Sequence, residues 1–401
     1  MQILRIIILI SLFLVSCSTD NSNSTSNEIL SNFLTFERSF GDSDLPEEYL
    51  LARPRGIALM QNGNILVCDE SALKIFNQNG EPVRIIGGRG QGPGEFDGLS
   101  GAPLLSPANY LSARASSNHI NFFDPDLKYI ERISLYNIPL GDQIRDEYKL
   151  LEAGIRSVIY LNPEEQIYIL FGQEEGAYHN FIVNKSLGKD YSLIHAYKTP
   201  SYVKGNDASP MLHIIPHQGQ TYLCMLSDSR IVFTNTGADK KKAEGGYYYN
   251  LNITDYNGKN LKIISRPFKP LDLPPDRLDH DTPTGRNVLH AYPYYPTLLD
   301  LKTDGKFIFT FTQTKNDAGE ILTDIFNADN GEYIRSAYFP FIPYIIKDGK
   351  AYRQINPPNI PRNWKEMQNL SEDRKIMYEE FERNPFFPRI EIYKIDPDVF
   401  K

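Results

Sequence analysis

Short apolar runs punctuated by turn residues recur along most of the chain. The clearest stretch starts at Arg53 and Pro54, turns at Asn62-Gly63, runs from Asn64 to Asp69 and from Ala72 to Phe76, turns at Asn79-Gly80, and ends at Gly87. Asn and Gly accept the positive φ that tight hairpins need, and the flanking runs alternate or are β-branched. Four antiparallel strands in about 35 residues predict one blade of a β-propeller.

Looser copies follow. Thr221–Leu226 with Arg230–Asn235 repeats the first hairpin, and Tyr249–Asp255 with Asn260–Ser265 repeats the second. Thr297–Lys302, Lys306–Phe311, Leu322–Phe326 and Glu332–Ser336 form another copy, and weaker ones lie around 102–136 and 157–197. The last copy has Ile342–Ile346, Lys350–Ile355 and Arg389–Ile395 but stops before a fourth strand. Residues 32–41, whose core Phe33–Phe40 ends in Gly41, are expected to supply it and to leave no stray sheet edge. The expectation is an all-β, six-bladed β-propeller over 32–401, with blade repeats on the long side.

One segment breaks the β pattern. Asn363–Leu370 and Ser371–Glu382 carry apolar residues at helical spacing, with Ser371 as a reasonable N-cap. This predicts a short helical insertion over 362–385, between the second and third strands of the last blade, as a lid or gate on the face where connections enter the channel.

The first residues carry an address. A single cation, Arg5, precedes the apolar run Ile6–Val15 and the pair Ser16-Cys17, which is export-signal anatomy over 1–16 and too short to span a bilayer. Residues 17–31 begin with a polar, aperiodic stretch that reads as a flexible tether. Leu14-Val15-Ser16-Cys17 resembles the lipobox of bacterial lipoproteins, whose cysteine is acylated and becomes the first mature residue. That resemblance implies lipidation of Cys17 and a cell-envelope location anchored through the lipid. Ser18 in place of Asp, by resemblance to enterobacterial lipoproteins, points to the outer membrane.

The net charge of −8 argues against a nucleic-acid partner, because phosphate backbones need a basic face. Besides Cys17 there are two cysteines, Cys68 and Cys224, so no disulfide framework holds the fold. Their strands fall on opposite sides of a six-membered ring, which predicts two reduced thiols, with Cys224 the less reactive.

The first blade, from Arg55-Gly56-Ile57-Ala58 through Asn62–Val67 and Asp69 to Lys74-Ile75-Phe76 and Gly80, resembles an NHL repeat. The glycine-rich stretch Ile86–Phe96 is similar to the linker after one blade in a group of six-bladed propeller lipoproteins of Gram-negative bacteria. What this resemblance implies is a six-bladed ring, export and lipidation, with the ligand undefined. The same stretch is not read as a phosphate loop, since antiparallel strands and a Pro-Gly turn flank it.

In a propeller, blade-to-blade connections and the loops between second and third strands gather at one end of the channel. There the sequence collects Arg53, Arg55, Arg89, Arg156, His213, His217, Arg286, His290 and Tyr292, with Tyr294 and Tyr295 following. Cations and tyrosines around a funnel suit an anionic or sugar-like ligand; the alternative is solvated loop residues in structural ion pairs. Neither His213-x-x-x-His217, interrupted by Pro216, nor Asp279-His280-Asp281 fixes a third ligand, so no metal or other cofactor is expected. There is no Gly-x-Ser-x-Gly elbow and no identifiable Ser/His/Asp set. The functional expectation is a membrane-anchored binding or scaffold module, its partner a small molecule, glycan or envelope protein. The alternative is a metal-assisted hydrolase or lyase at the channel mouth, which requires His and carboxylates to converge there.

Overall fold

The computed structural model describes residues 29–98, 101–135, 139–174, 177–188, 191–204, 211–214, 220–226, 229–236, 241–243, 246–274, 294–358 and 372–401. Cys17, the signal and the start of the tether lie outside them. Six antiparallel sheets follow one another along the chain, which makes an all-β, six-bladed propeller.

Blade 1 consists of β2 (Pro54–Leu59), β3 (Ile65–Asp69), β4 (Ala72–Phe76) and β5 (Pro82–Gly87); blade 2 consists of β6 (Leu104–Leu105), β7 (Leu111–Arg114), β8 (His119–Phe123) and β9 (Tyr129–Ser134). In blade 3, β10 (Glu152–Asn162), β11 (Glu165–Glu174), β12 (Ala177–Ser186) and β13 (Tyr191–Lys204) are followed by a fifth strand, β14 (Met211–Ile214). Blade 4 has β15 (Thr221–Met225), β16 (Arg230–Asn235), β18 (Gly246–Asp255) and β19 (Asn260–Phe268), and β17 (Lys241–Ala243) pairs with the start of β18. Blade 5 is β20 (Leu298–Thr303), β21 (Phe307–Lys315), β22 (Ile321–Asn327) and β23 (Tyr333–Phe339). Blade 6 combines β24 (Ile345–Lys347), β25 (Lys350–Ile355) and β26 (Arg389–Ile395) with β1 (Leu34–Phe40), which pairs antiparallel with β26 as the outermost strand.

Every blade packs on both faces, so strand side chains alternate between two neighbours instead of between core and water. In β3, Leu66 and Cys68 belong to the apolar seam with blade 2, whereas Ile65 and Val67 belong to the seam with blade 6. Six such seams, one for each neighbouring pair of blades, make up the core. At the closing seam Phe40 of β1 stacks at 4.8 Å from Phe76 of β4. Gly80, at φ +84°, is required there: a Cβ would come within 2.6 Å of Phe40. Buried Asp69 fastens the connection from β1 into blade 1, accepting the amides of Ala52 and Arg53 and pairing with Lys74 Nζ at 2.9 Å.

Two helices interrupt the strands. The helical insertion of the last blade appears as α2 (Glu372–Arg383), with Ile376 and Met377 exposed, while 359–371 lie outside the described residues. The helix α1 (Pro139–Tyr148), between blades 2 and 3, has no counterpart in the sequence reading. Its apolar contribution is small: Ile144 is buried and Tyr148 packs against Phe181, which is too few periodic positions to announce a helix.

Candidate functional site

Antiparallel order puts the start of β2, the end of β5 and the start of β10 at one end of the ring. Arg53 and Arg55 flank the first residue of β2 and are exposed, and Tyr344 of blade 6 donates its hydroxyl to the Arg55 carbonyl at 3.2 Å. Arg89 is exposed just beyond β5, where it bridges to buried Phe96. Arg156 sits at an irregularity of β10 between Ile155 and Ser157; desolvation by surrounding protein lowers its pKa, and nearby Tyr178 partly offsets this. None of these four guanidinium groups has a hydrogen-bond partner among the described residues. The strand position of His213 is described, paired with Tyr202 in β13, but its side chain is not. His217, Arg286, His290, Tyr292 and Asp279–Asp281 lie outside the described residues. Among the described residues no group of three or more His, Cys, Asp or Glu is disposed to hold a metal ion.

A cleft of about 670 Å³ lies at the seam between blades 4 and 5. That volume falls in the range of about 300–1,000 Å³ usual for small-molecule sites. Its polar centre is Asp324, the one charged residue of strand β22 and 5% exposed. Asp324 accepts the Tyr249 hydroxyl at 2.7 Å, the Ser336 hydroxyl, and two guanidinium nitrogens of Arg266 at 3.3 Å. Burial works against the charge on Arg266, but Asp324 outweighs it and raises its pKa. Burial pushes the Tyr249 phenol well up, so it stays a neutral donor. Arg266 also lies 3.6 Å above the Tyr333 ring, which fixes its plane.

Further cations reach the same cleft. Lys269 is exposed in its wall, and Arg335 donates one nitrogen to the Lys401 carbonyl oxygen at 2.9 Å. Thr297, 6% exposed, has a buried hydroxyl without a hydrogen-bond partner, and Arg335 Nε is likewise buried and unpartnered. Tyr295, one of the tyrosines expected near the channel mouth, lines this cleft. Arg266, Lys269, Thr297, Asp324 and Arg335 escaped the sequence reading. One signal was available: a carboxylate inside the run Ile321–Phe326 has to be paired if that strand is buried on both faces.

Cys68 and Cys224 are both free thiols. Their order of burial reverses the expectation. Cys68, interior to a strand covered on both faces, is 1% exposed, while Cys224, on the innermost strand of blade 4, is partly accessible and gives its thiol to the Leu301 carbonyl at 3.1 Å. Burial raises both pKa values, that of Cys224 to about 12.

No protein-family model and no curated protein sequence matches the chain. Among solved structures it is similar to the WD40 domain of Pan2 from Neurospora crassa, at 12% identity over 79% of this chain and 73% of that one, with a TM-score of 0.34. It is also similar to BamB from Moraxella catarrhalis, at 10% identity over 85% of each chain and a TM-score of 0.31. A third similarity is to the β-propeller domain of the Trilobed protease from Pyrococcus furiosus, at 13% identity over 75% of this chain and 78% of that one, with a TM-score of 0.35. Nothing about ligand, partner or activity passes from these structures to this chain.

Proposed function

We propose that the chain is a lipid-anchored binding module of the cell envelope, held at the outer membrane through Cys17, with a small-molecule site in the cleft between blades 4 and 5. One observation carries the binding reading: a preformed cavity of about 670 Å³ whose central guanidinium, on Arg266, is already fixed by Asp324 and Tyr333. A site whose polar groups are held before the ligand arrives loses less side-chain entropy on binding. Ile29, at the start of the described chain, lines the same cleft.

Two experiments test the two halves. Cys17→Ser should move the protein from the membrane to the soluble fraction of the envelope; retention at the membrane with the signal cleaved would overturn the anchor. For the cleft, the mature protein is screened by thermal shift against a panel of small envelope metabolites. Compounds that raise the melting temperature should lose their effect in Gln313→Trp, which fills the cleft from its β21 wall. Stabilisation that persists in this variant would move the site elsewhere.

A further inference from the structure

Resting on the assignment of the cleft as a ligand site, we infer that its ligand is a phosphomonoester attached to an apolar or sugar-like body. The argument starts from charge. The whole chain carries −8, yet the cleft lining gathers Arg266, Lys269 and Arg335 with Asp324 as its one acidic side chain. That carboxylate is saturated by Arg266, Tyr249 and Ser336, so it neutralises one cation; of the other two, Arg335 gives one nitrogen to the Lys401 oxygen and Lys269 lines the cavity without a partner among the described residues.

Donor counting decides between kinds of anion. Arg266 spends Nε and Nη2 on Asp324 and keeps Nη1, while Arg335 spends Nη2 on Lys401 and keeps Nε and Nη1. Lys269 has no partner among the described residues, and Thr297 Oγ1 is buried without one. A carboxylate offers two oxygens and a single charge. A phosphomonoester offers three terminal oxygens and up to two charges, which matches more of these donors. Buried donors left without partners carry an energetic cost that a matching acceptor removes. Pro267, Phe268, Leu271 and Leu322 supply apolar walls for the rest of the ligand.

The test uses the soluble Cys17→Ser protein and three probes at one ionic strength: inorganic phosphate, phenyl phosphate and phenylacetate. Phenyl phosphate should bind at least tenfold more tightly than phenylacetate, which shares the ring but carries a carboxylate. Its affinity should fall as pH drops through about 6, where a phosphate loses its second charge. Lys269→Gln and Arg335→Gln should each weaken it about tenfold while circular dichroism stays unchanged. Vesicles containing phosphatidic acid distinguish the source of the phosphate. Capture by them, but not by phosphatidylcholine alone, that is lost in Arg335→Gln would assign the phosphate to a lipid headgroup; phenyl phosphate binding without vesicle capture would assign it to a free metabolite. Equal affinity for phenylacetate, or indifference to both substitutions, overturns the inference. If neither phosphate probe binds but another compound is displaced by Gln313→Trp, the phosphate assignment falls and the cleft assignment stands.

Discussion

The seam between blades 6 and 1 and the seam between blades 4 and 5 share one strand geometry and reach opposite ends. The first is dry throughout its centre: Phe40, Phe76, Ile65, Val67, Ile390 and Ile392 are buried, and aromatic rings join the closing strand to its neighbour. The second begins the same way with Val232, Leu251, Leu298, Ile308 and Phe326, then opens into Asp324, Arg266 and a cavity. Closure itself is the pairing of β1 with β26 inside blade 6, and Phe40 extends that pairing into the first seam. Both seams hold a buried ion pair; in the first, Asp69 with Lys74 is closed over by the amides of Ala52 and Arg53 on the connection from β1 into blade 1, whereas in the second Asp324 with Arg266 borders open space. A buried ion pair thus becomes a candidate site where space is left beside it, and a fastening where backbone closes over it.

The sharpest way to break this comparison is truncation. Removing 18–28 should leave the melting temperature unchanged, whereas removing 18–41 should lower it by more than about 10 °C, because blade 6 loses β1 and exposes an edge. Equal melting of the two truncations, measured by calorimetry, would deprive the closing seam of its special role.

Next in size comes the centre of the other seam. Asp324→Ala should cost about 3 kcal/mol in urea unfolding, since it leaves a partly buried guanidinium without its acceptor and the buried Tyr249 phenol with only the Thr310 hydroxyl. Asp324→Leu combined with Arg266→Leu should recover much of that loss, because the pair is removed together. A neutral Asp324→Ala would mean that the network is solvated and the cleft not preformed.

The smallest effect belongs to the closing strand's surface. The hydrogen bond from Lys350 holds the Glu37 carboxyl below its usual range, against a smaller desolvation cost, with Arg38 adding to the lowering. A carboxyl lowered in the folded state stabilises above its unfolded pKa of about 4.3, and that contribution is lost as pH falls through the folded value. Glu37→Gln should therefore cost less than about 1 kcal/mol at pH 7, and the cost should shrink as pH falls below the unfolded value.

The six blades were legible because each hairpin carries its own local signal. Asn62-Gly63 and Asn79-Gly80 turn where positive φ is needed, and both glycines adopt it. The additions on blades 3 and 4 were not legible. The strand β14 prolongs a sheet through residues 201–204 of β13, and β17 is a short run of Lys241-Lys242-Ala243 that reads as a solvated turn. The candidate site divides along the same line. Clusters of cations near blade connections are visible in sequence, and four of them are described at one end of the ring. The cleft residues Arg266, Asp324 and Arg335 come from three strands in two blades, and only the seam brings them together.

The pairing of β1 with β26 also constrains when the fold can form. Glu37 and its partner Lys350 are 313 positions apart, so one of the last pairings to be synthesised completes a sheet begun by one of the first. Contacts of such high sequence separation form slowly, because the chain between them must be ordered or looped before they repay its entropy. The first strand of an emerging chain thus waits unpaired while five blades form behind it. With Phe36 exposed, Arg38 half-buried and Phe40 buried, the strand carries both charge and apolar surface on an edge that must stay uncaptured until the end. A partial chain cannot imitate the finished ring, and completeness is thereby tied to stability.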